Sequence, residues 1–320
     1  MEHLFFGNNE NKPFFSLVIP VHGRLSLLEV TLNSLKKLDF KDIEIIISDD
    51  SNSKRDRLTI KRWVQDIYAT MGVNVIYVFT KSNLGQSGNT NQGLHYANGE
   101  WIRILHSDDI LHSNIFKLEK KIIEENKDIN LIFHSIINFS HSDEIITNAN
   151  VLPTYNKASA YHMIVYGLHT HCAIPSSLLF QKKSLDIIGG FNNKMKRACD
   201  WDFYSKLVIE AFNNKEQIIQ FRPGMVYHRI HNGSNTNKIL TKLSNYKEYK
   251  KISDSNLNFL KKHPNDFGFV EINLYKSCAF SYRTSRLVRD YKSLNFLFRL
   301  LFLRKFLKLI FKSKKEQLEH

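Results

Sequence analysis

The chain's 320 residues are 42% hydrophobic and 24% charged, the balance of an ordinary soluble globular protein with room for a sizeable core. No run reaches the ~18 uninterrupted apolar residues of a membrane span, which argues against an integral membrane class. The formal charge of +14 suits nucleic acid, anionic lipid or phosphorylated small molecules, and position has to decide among them.

The opening MEHLFFGNNENKP lacks the basic start and long apolar run of a signal peptide. Phe15–Pro20 is a short apolar run closed by proline, after which Leu25, Leu28, Leu32 and Leu35 recur at helical spacing. Strands are predicted at Ile43–Ser48, Val73–Phe79, Trp101–Leu105 and Ile129–His134. Helices are predicted at Gln86–Asn98 and from about Asn114 to Asn126. This β-α-β-α-β series with short connections implies an α/β fold, a mostly parallel sheet covered by helices. Such sheets bind ligands beyond the carboxyl ends of their strands, which would put Asp49, Asp50, His106, Asp108 and Asp109 on one edge. From about Asn138 the pattern is less regular. It gives an extended stretch near Glu144–Val151, a helix near Ser159–Tyr166, a strand at Ser177–Phe180 and a helix at Asp202–Phe212. Strands at Glu216–Phe221 and Met225–Arg229 follow, and after Gly233 the chain turns helical and basic.

Three acidic turns carry the chemistry. Ile102–Asp109 (IRILHSDD) is an apolar strand running into a histidine and two adjacent carboxylates. Carboxylates are costly there unless a cation or a reacting proton compensates them. His106, Asp108 and Asp109 are donors suited to Mg2+ or Mn2+ beside a nucleotide diphosphate; the alternative is a helix N-cap, for which one carboxylate suffices. Ser48–Asn52 (SDDSN) either accepts hydrogen bonds from a ribose or base, or closes an Asx turn. Asp200 in CDWD heads an apolar-striped helix, as a general base or as an N-cap with Trp201 and Phe203 in the core.

The Asn83–Gly93 run (NLGQSGNTNQG) is neither GxGxxG nor a Walker loop; its small residues let a helix approach a nucleotide or pack on the sheet. Lys194, Lys196 and Arg197 read equally as a phosphate clamp or a solvated loop. His228 and His231 are metal-facing or structural, and His169 and His171, without further ligands, are acceptor-side or structural.

VIPVHGR (18–24), IISDDSN (46–52), NLGQSGNTNQG, ANGEWIRILHSDD (97–109), GGF (189–191), CDWDFYSKL (199–207) and RIHNGSNT (229–236) occur in one order. Together they make residues 14–236 resemble the family 2 glycosyltransferases with a GT-A fold. The resemblance implies a catalytic domain over 1–237 that inverts the anomeric centre, using a nucleotide-sugar donor (a UDP-sugar) and Mn2+ or Mg2+. On it, Pro20, Asp49 and Asp50 would line the nucleoside pocket, and Asn83, Gly85, Asn91, Arg103 and Asp108 would complete the nucleotide-sugar contacts. Asp108 and Asp109 would form the family's D-x-D turn, with His106 and His231 as further metal ligands and Asp200 as general base. Two positions depart from the family pattern: His106 replaces the first acid of the turn, and Cys199 the glutamate before the base. They leave a second reading open, a non-catalytic, membrane-docked nucleotide-sugar or glycan-binding protein of the same fold.

The basic region, 238–317, includes Asp290–Lys315. On a helix, Arg304, Lys305, Lys308, Lys312 and Lys315 would face away from Leu303, Phe306, Leu307 and Ile310, with Arg299 on the apolar side. This resembles an interfacial helix on anionic lipid, or else a core helix, and would suit a lipid-linked glycan acceptor at the inner face of the plasma membrane. The resemblance and the Lys/Asn-rich composition together suggest bacterial surface polysaccharide synthesis. The lysines cluster with Leu and Phe without a stacking platform, which disfavours nucleic acid. Cys172, Cys199 and Cys278 are far apart with no CxxC pair, which suits a reducing cytosol. Residues 318–320 read as a remnant of a purification-tag linker.

Overall fold

The computed structural model describes residues 2–7, 12–140, 154–167, 174–231 and 243–287. The stretch expected near Glu144–Val151, His169, His171, the boundary at 237, the amphipathic segment 290–315 and the terminal 318–320 lie outside the described residues.

Among the described residues ten strands form one mixed sheet: β1 (Glu2–Phe6), β2 (Phe15–Val21), β3 (Ile43–Asp49), β4 (Asn74–Phe79), β5 (Trp101–Ile104), β6 (Ile110–Leu111), β7 (Ile129–Phe139), β8 (Thr154–Ala158), β9 (Leu178–Gln181) and β10 (Gln217–Arg229). Their order is β1-β4-β3-β2-β5-β9-β7-β10-β6, with β8 paired to β10. Strands β2, β3, β4 and β5 pair in parallel, as do β7 and β10, while β9 runs antiparallel between β5 and β7. β2, β3, β4, β5, β7 and β10 therefore share one direction, so the sheet is mostly parallel as expected. Their carboxyl ends lie along one edge. β3 is buried at every position, the pattern of a central strand covered on both faces.

The α-helices up to residue 213 are α1 (Leu25–Leu35), α2 (Lys54–Met71), α3 (Gly85–His95), α4 (Ile115–Glu125), α5 (Ala160–His162), α6 (Lys182–Ile188) and α7 (Cys199–Asn213). α2 was not expected. Ile60, Val64, Ile67 and Met71 form its narrow buried stripe among many charges, Ser53 caps its start through Asp56 N–H, and Gly72 ends it at φ 66°. The two strands expected after residue 216 are one, β10, interrupted by a register shift between Phe221 and Val226.

α3 lies hard against β2 and β3. A Cβ on Gly93 would stand 2.5 Å from Val18 Cγ1 and 3.1 Å from Ser48 Cβ. Gly93→Ala is therefore expected to destabilise the protein by about 1–3 kcal/mol through overpacking, read as a lowered melting temperature.

The chain divides into two compact units, Met1–Ala160 with Ala173–His231, and Tyr161–Cys172 with Asn232–His320. All strands among the described residues belong to the first. In the second, α8 (Leu243–Lys262) and α9 (Phe269–Leu287) form a hairpin in which Tyr275 Oη donates to the Ser253 carbonyl, and Tyr161 stacks on Phe267 at 5.1 Å. No helix among the described residues is long and apolar enough to cross a membrane.

Candidate functional site

The carboxyl edge of the sheet gathers acidic side chains that are far apart in sequence. At the end of β3, Asp49 and Asp50 are both buried but differently used. Asp49 accepts from Tyr77 Oη (2.8 Å) and Ser51 N–H (2.8 Å), so its carboxylate is held inside the fold, the Asx-turn alternative. Asp50 holds the loops around it: it takes Leu84 N–H at 2.8 Å and Asn89 Nδ2 at 3.2 Å, and pairs with His22 Nδ1 at 2.8 Å. His22 is 59% exposed, so the imidazole faces solvent while Asp50 stays buried behind it. Pro20, the penultimate residue of β2, is partly buried beside Ser48 in the β2–β3 ladder.

After β5 the chain turns through His106, Asp108 and Asp109, whose donor atoms all lie within 4.8 Å of one another. Neither aspartate caps α4, because β6 intervenes and Asn114 is the cap residue. Asp109 is fully buried. Its Oδ1 accepts from His228 Nδ1 (3.0 Å) and Arg229 N–H (3.1 Å), and its Oδ2 from Ser176 Oγ (2.6 Å). Burial would raise its carboxyl pKa, but the bond from His228, the field of His106 and the Ser176 hydroxyl outweigh it and leave the group lowered. The hydrogen bond to Asp109 correspondingly raises His228 against its own burial. Asp108 is partly exposed, and its Oδ2 meets His231 Nε2 (3.0 Å) and Arg24 Nη1 (3.3 Å). Its Oδ1 has no hydrogen-bond partner among the described residues. The turn thus offers one outward carboxylate oxygen and an imidazole beside a rigid anchored carboxylate, a hard donor set that fits Mg2+ or Mn2+.

Asp200 sits in the first turn of α7 and is not its cap; that position is Ala198. Trp201 and Phe203 are core, as expected. The Asp200 Oδ1 accepts from Gln86 Nε2 at 3.1 Å and is 3.5 Å from Cys199 Sγ, while its Oδ2 takes no bond from the described residues. Gln86 lies in the first turn of α3, two residues after Leu84, whose N–H is bound to Asp50, so the start of α3 links Asp200 to the carboxyl edge. Burial and the neighbouring Asp200 charge push the Cys199 thiol well up, which keeps it protonated and inert.

Three residues expected at the donor have partners within the fold. Arg103 is wholly buried, with Nη2 paired to Glu119 and Nη1 donating to the Ser176 carbonyl at 2.8 Å. Its place on β5 turns it toward α4, so no donor contact is available to it. Asn91 clamps the loop after α6, donating to the Phe191 carbonyl (2.8 Å) and Asn193 Oδ1 (2.9 Å) and accepting from Phe191 N–H (2.9 Å). Asn83 accepts from Gly85 N–H (2.8 Å), shaping the positive-φ turn into α3 where Gly85 sits at φ 69°. Ser176, Gln86, Asn89, His22 and Arg24 were not singled out. For Asn89 alone there was a signal, the polar run Ser87, Asn89, Thr90 and Gln92 on α3, since polar side chains packed inward from a helix imply specific partners.

The family model described as "Glycosyl transferase family 2" matches residues 16–188. An uncharacterized glycosyltransferase of Methanocaldococcus jannaschii is 26% identical over 243 residues, covering 75% of this chain and 78% of the relative. A Campylobacter jejuni protein named GalNAc(5)-diNAcBac-PP-undecaprenol beta-1,3-glucosyltransferase is 36% identical over 103 residues, 32% of this chain and 31% of its own length. The crystal structure of Staphylococcus aureus TarS 1-349 in complex with UDP-GlcNAc superposes with a TM-score of 0.57 at 17% identity, over 85% of this chain and 81% of that one. That likeness places the fold in the GT-A class.

Proposed function

The chain belongs to glycosyl transferase family 2, and from that membership we propose an inverting, divalent-metal-dependent transfer of sugar from a UDP-sugar to a hydroxyl of a glycan or lipid-linked glycan. The observation that carries this reading is the meeting of Asp50, Asp108, Asp109 and His106 on one sheet edge, with Gln86 tying Asp200 to it. His106, Asp108 and Asp109 would hold Mn2+ or Mg2+, with His231 against Oδ2 of Asp108 and its Oδ1 left for the ion. When bound, the ion supplies charge neutralisation to the departing nucleoside diphosphate.

The protein's own groups do the rest. Asp50 and the His22 it orients receive the nucleoside at the ends of β2 and β3. Arg24, already turned toward Asp108, adds positive charge on the diphosphate side. Asp200 accepts the acceptor's proton at Oδ2 as that hydroxyl attacks the anomeric carbon from the face opposite the leaving group, while Gln86 fixes Oδ1. Cys199 in place of a second carboxylate leaves Asp200 without an acidic neighbour on its N-terminal side. The Campylobacter relative, named for an undecaprenol-PP-linked glycan, supports a lipid-linked glycan as acceptor; its use in bacterial surface polysaccharide synthesis at the inner membrane face rests on the sequence resemblance alone.

The test is release of UDP from a panel of UDP-sugars with and without a polyprenyl-diphosphate glycan. Acceptor-stimulated, Mn2+-dependent release that chelation with EDTA abolishes is expected. Release unaffected by EDTA would remove the metal, and donor binding without release under any condition would favour the non-catalytic reading.

A further inference from the structure

The arrangement behind the acidic turn points to a residue whose role the family match does not assign. β9 runs antiparallel to β5 with Trp101 opposite Gln181 and Arg103 opposite Leu179. Continuing that register brings Ser176, in the single turn Pro175–Ser177 before β9, across from His106. Its hydroxyl accepts from the His106 N–H at 3.0 Å and donates to Asp109 Oδ2 at 2.6 Å. One side chain thus holds both the backbone of the first candidate ligand and the carboxylate of the third.

Ser176 is itself fixed from the core. Its carbonyl accepts from Arg103 Nη1, Arg103 is paired with Glu119, and Glu119 also meets His134 Nε2 at 2.8 Å, all of these side chains fully buried. A fully buried carboxylate cannot reorient through solvent, so the direction of Asp109 is set by its hydrogen-bond partners. Partners of this kind decide how well a ligand set closes on its ion.

Resting on the metal reading above, we propose that Ser176, buttressed by the buried Arg103–Glu119 pair, is the positioning residue that sets Asp109 and the His106 backbone for the divalent ion. The chemistry requires the hydroxyl specifically, because it must accept one hydrogen bond and donate another at the same atom.

The experiment is a Mn2+ titration of the full chain in the presence of UDP, following free Mn2+ by electron paramagnetic resonance, with melting temperature measured alongside. Ser176→Ala is expected to weaken Mn2+ binding roughly 10-fold or more. In the same variant the Mn2+ concentration for half-maximal transfer rises, while kcat at saturating Mn2+ is largely kept. Ser176→Thr, which retains the hydroxyl, restores the affinity. Wild-type affinity in Ser176→Ala overturns the assignment and leaves the metal reading standing. Loss of melting temperature and affinity in both variants also overturns it, since packing and not the hydroxyl is then what the turn needs. Failure of the wild type itself to bind Mn2+ removes the metal reading and this inference with it.

Discussion

Asp200→Asn is expected to lower the rate of sugar transfer by about 10²- to 10⁴-fold, the usual contribution of a general base, with UDP affinity within a few fold of wild type. The substitution is isosteric, and an asparagine Oδ1 can still accept from Gln86 Nε2, so the helix start keeps its geometry. What disappears is the basicity at Oδ2, the oxygen that takes no bond from the described residues. The nucleotide would be held at Asp50 and the acidic turn instead, so binding and turnover separate. Calorimetry with UDP and a transfer assay on the same preparation check this. An Asn variant with near wild-type kcat removes the base assignment.

Glu119→Gln is expected to cost about 3–5 kcal/mol of stability, because it leaves the Arg103 guanidinium buried without its counter-charge. Burial pushes Arg103 down and Glu119 pulls it back up; His134 is likewise held down by burial against the same carboxylate. Glu119 is thus the shared anion of an otherwise apolar layer that includes Phe116, 5.9 Å beneath the guanidinium. Replacing Arg103 and Glu119 together by methionine should recover much of the loss, since an apolar pair removes both desolvation penalties. Denaturant unfolding of the three proteins measures this, and an unchanged midpoint for Glu119→Gln would show that the pair is not ionic in the folded state.

Much of this architecture was legible because the strands are apolar runs bounded by turn residues. Phe15–Pro20, Ile43–Ser48 and Trp101–Leu105 fall within a residue or two of β2, β3 and β5, and their parallel arrangement follows from the helices between them. α2 was passed over because its four buried positions are diluted by Lys, Arg and Asp. β6 is too short, at two residues, to give any periodic signal. At the site, the clustering of His106, Asp108 and Asp109 was readable since adjacent donors after a strand need no tertiary information. Arg103 was misplaced for the opposite reason. Strand alternation puts successive residues on opposite faces, and only the packing of α4 shows that Glu119 waits on the Arg103 side. Ser176 and Gln86 were invisible, as each acts on a residue about 70 or more positions away through one hydrogen bond.

The most direct measurement is a crystal structure with Mn2+ and a UDP-sugar, using the anomalous signal of manganese to locate the ion. The metal is predicted at coordination distance from Asp108 and Asp109, touching the diphosphate, with the free oxygen of Asp200 facing the sugar's anomeric carbon across the same cavity. Manganese elsewhere, or an Asp200 carboxylate directed away from the sugar, would contradict the account.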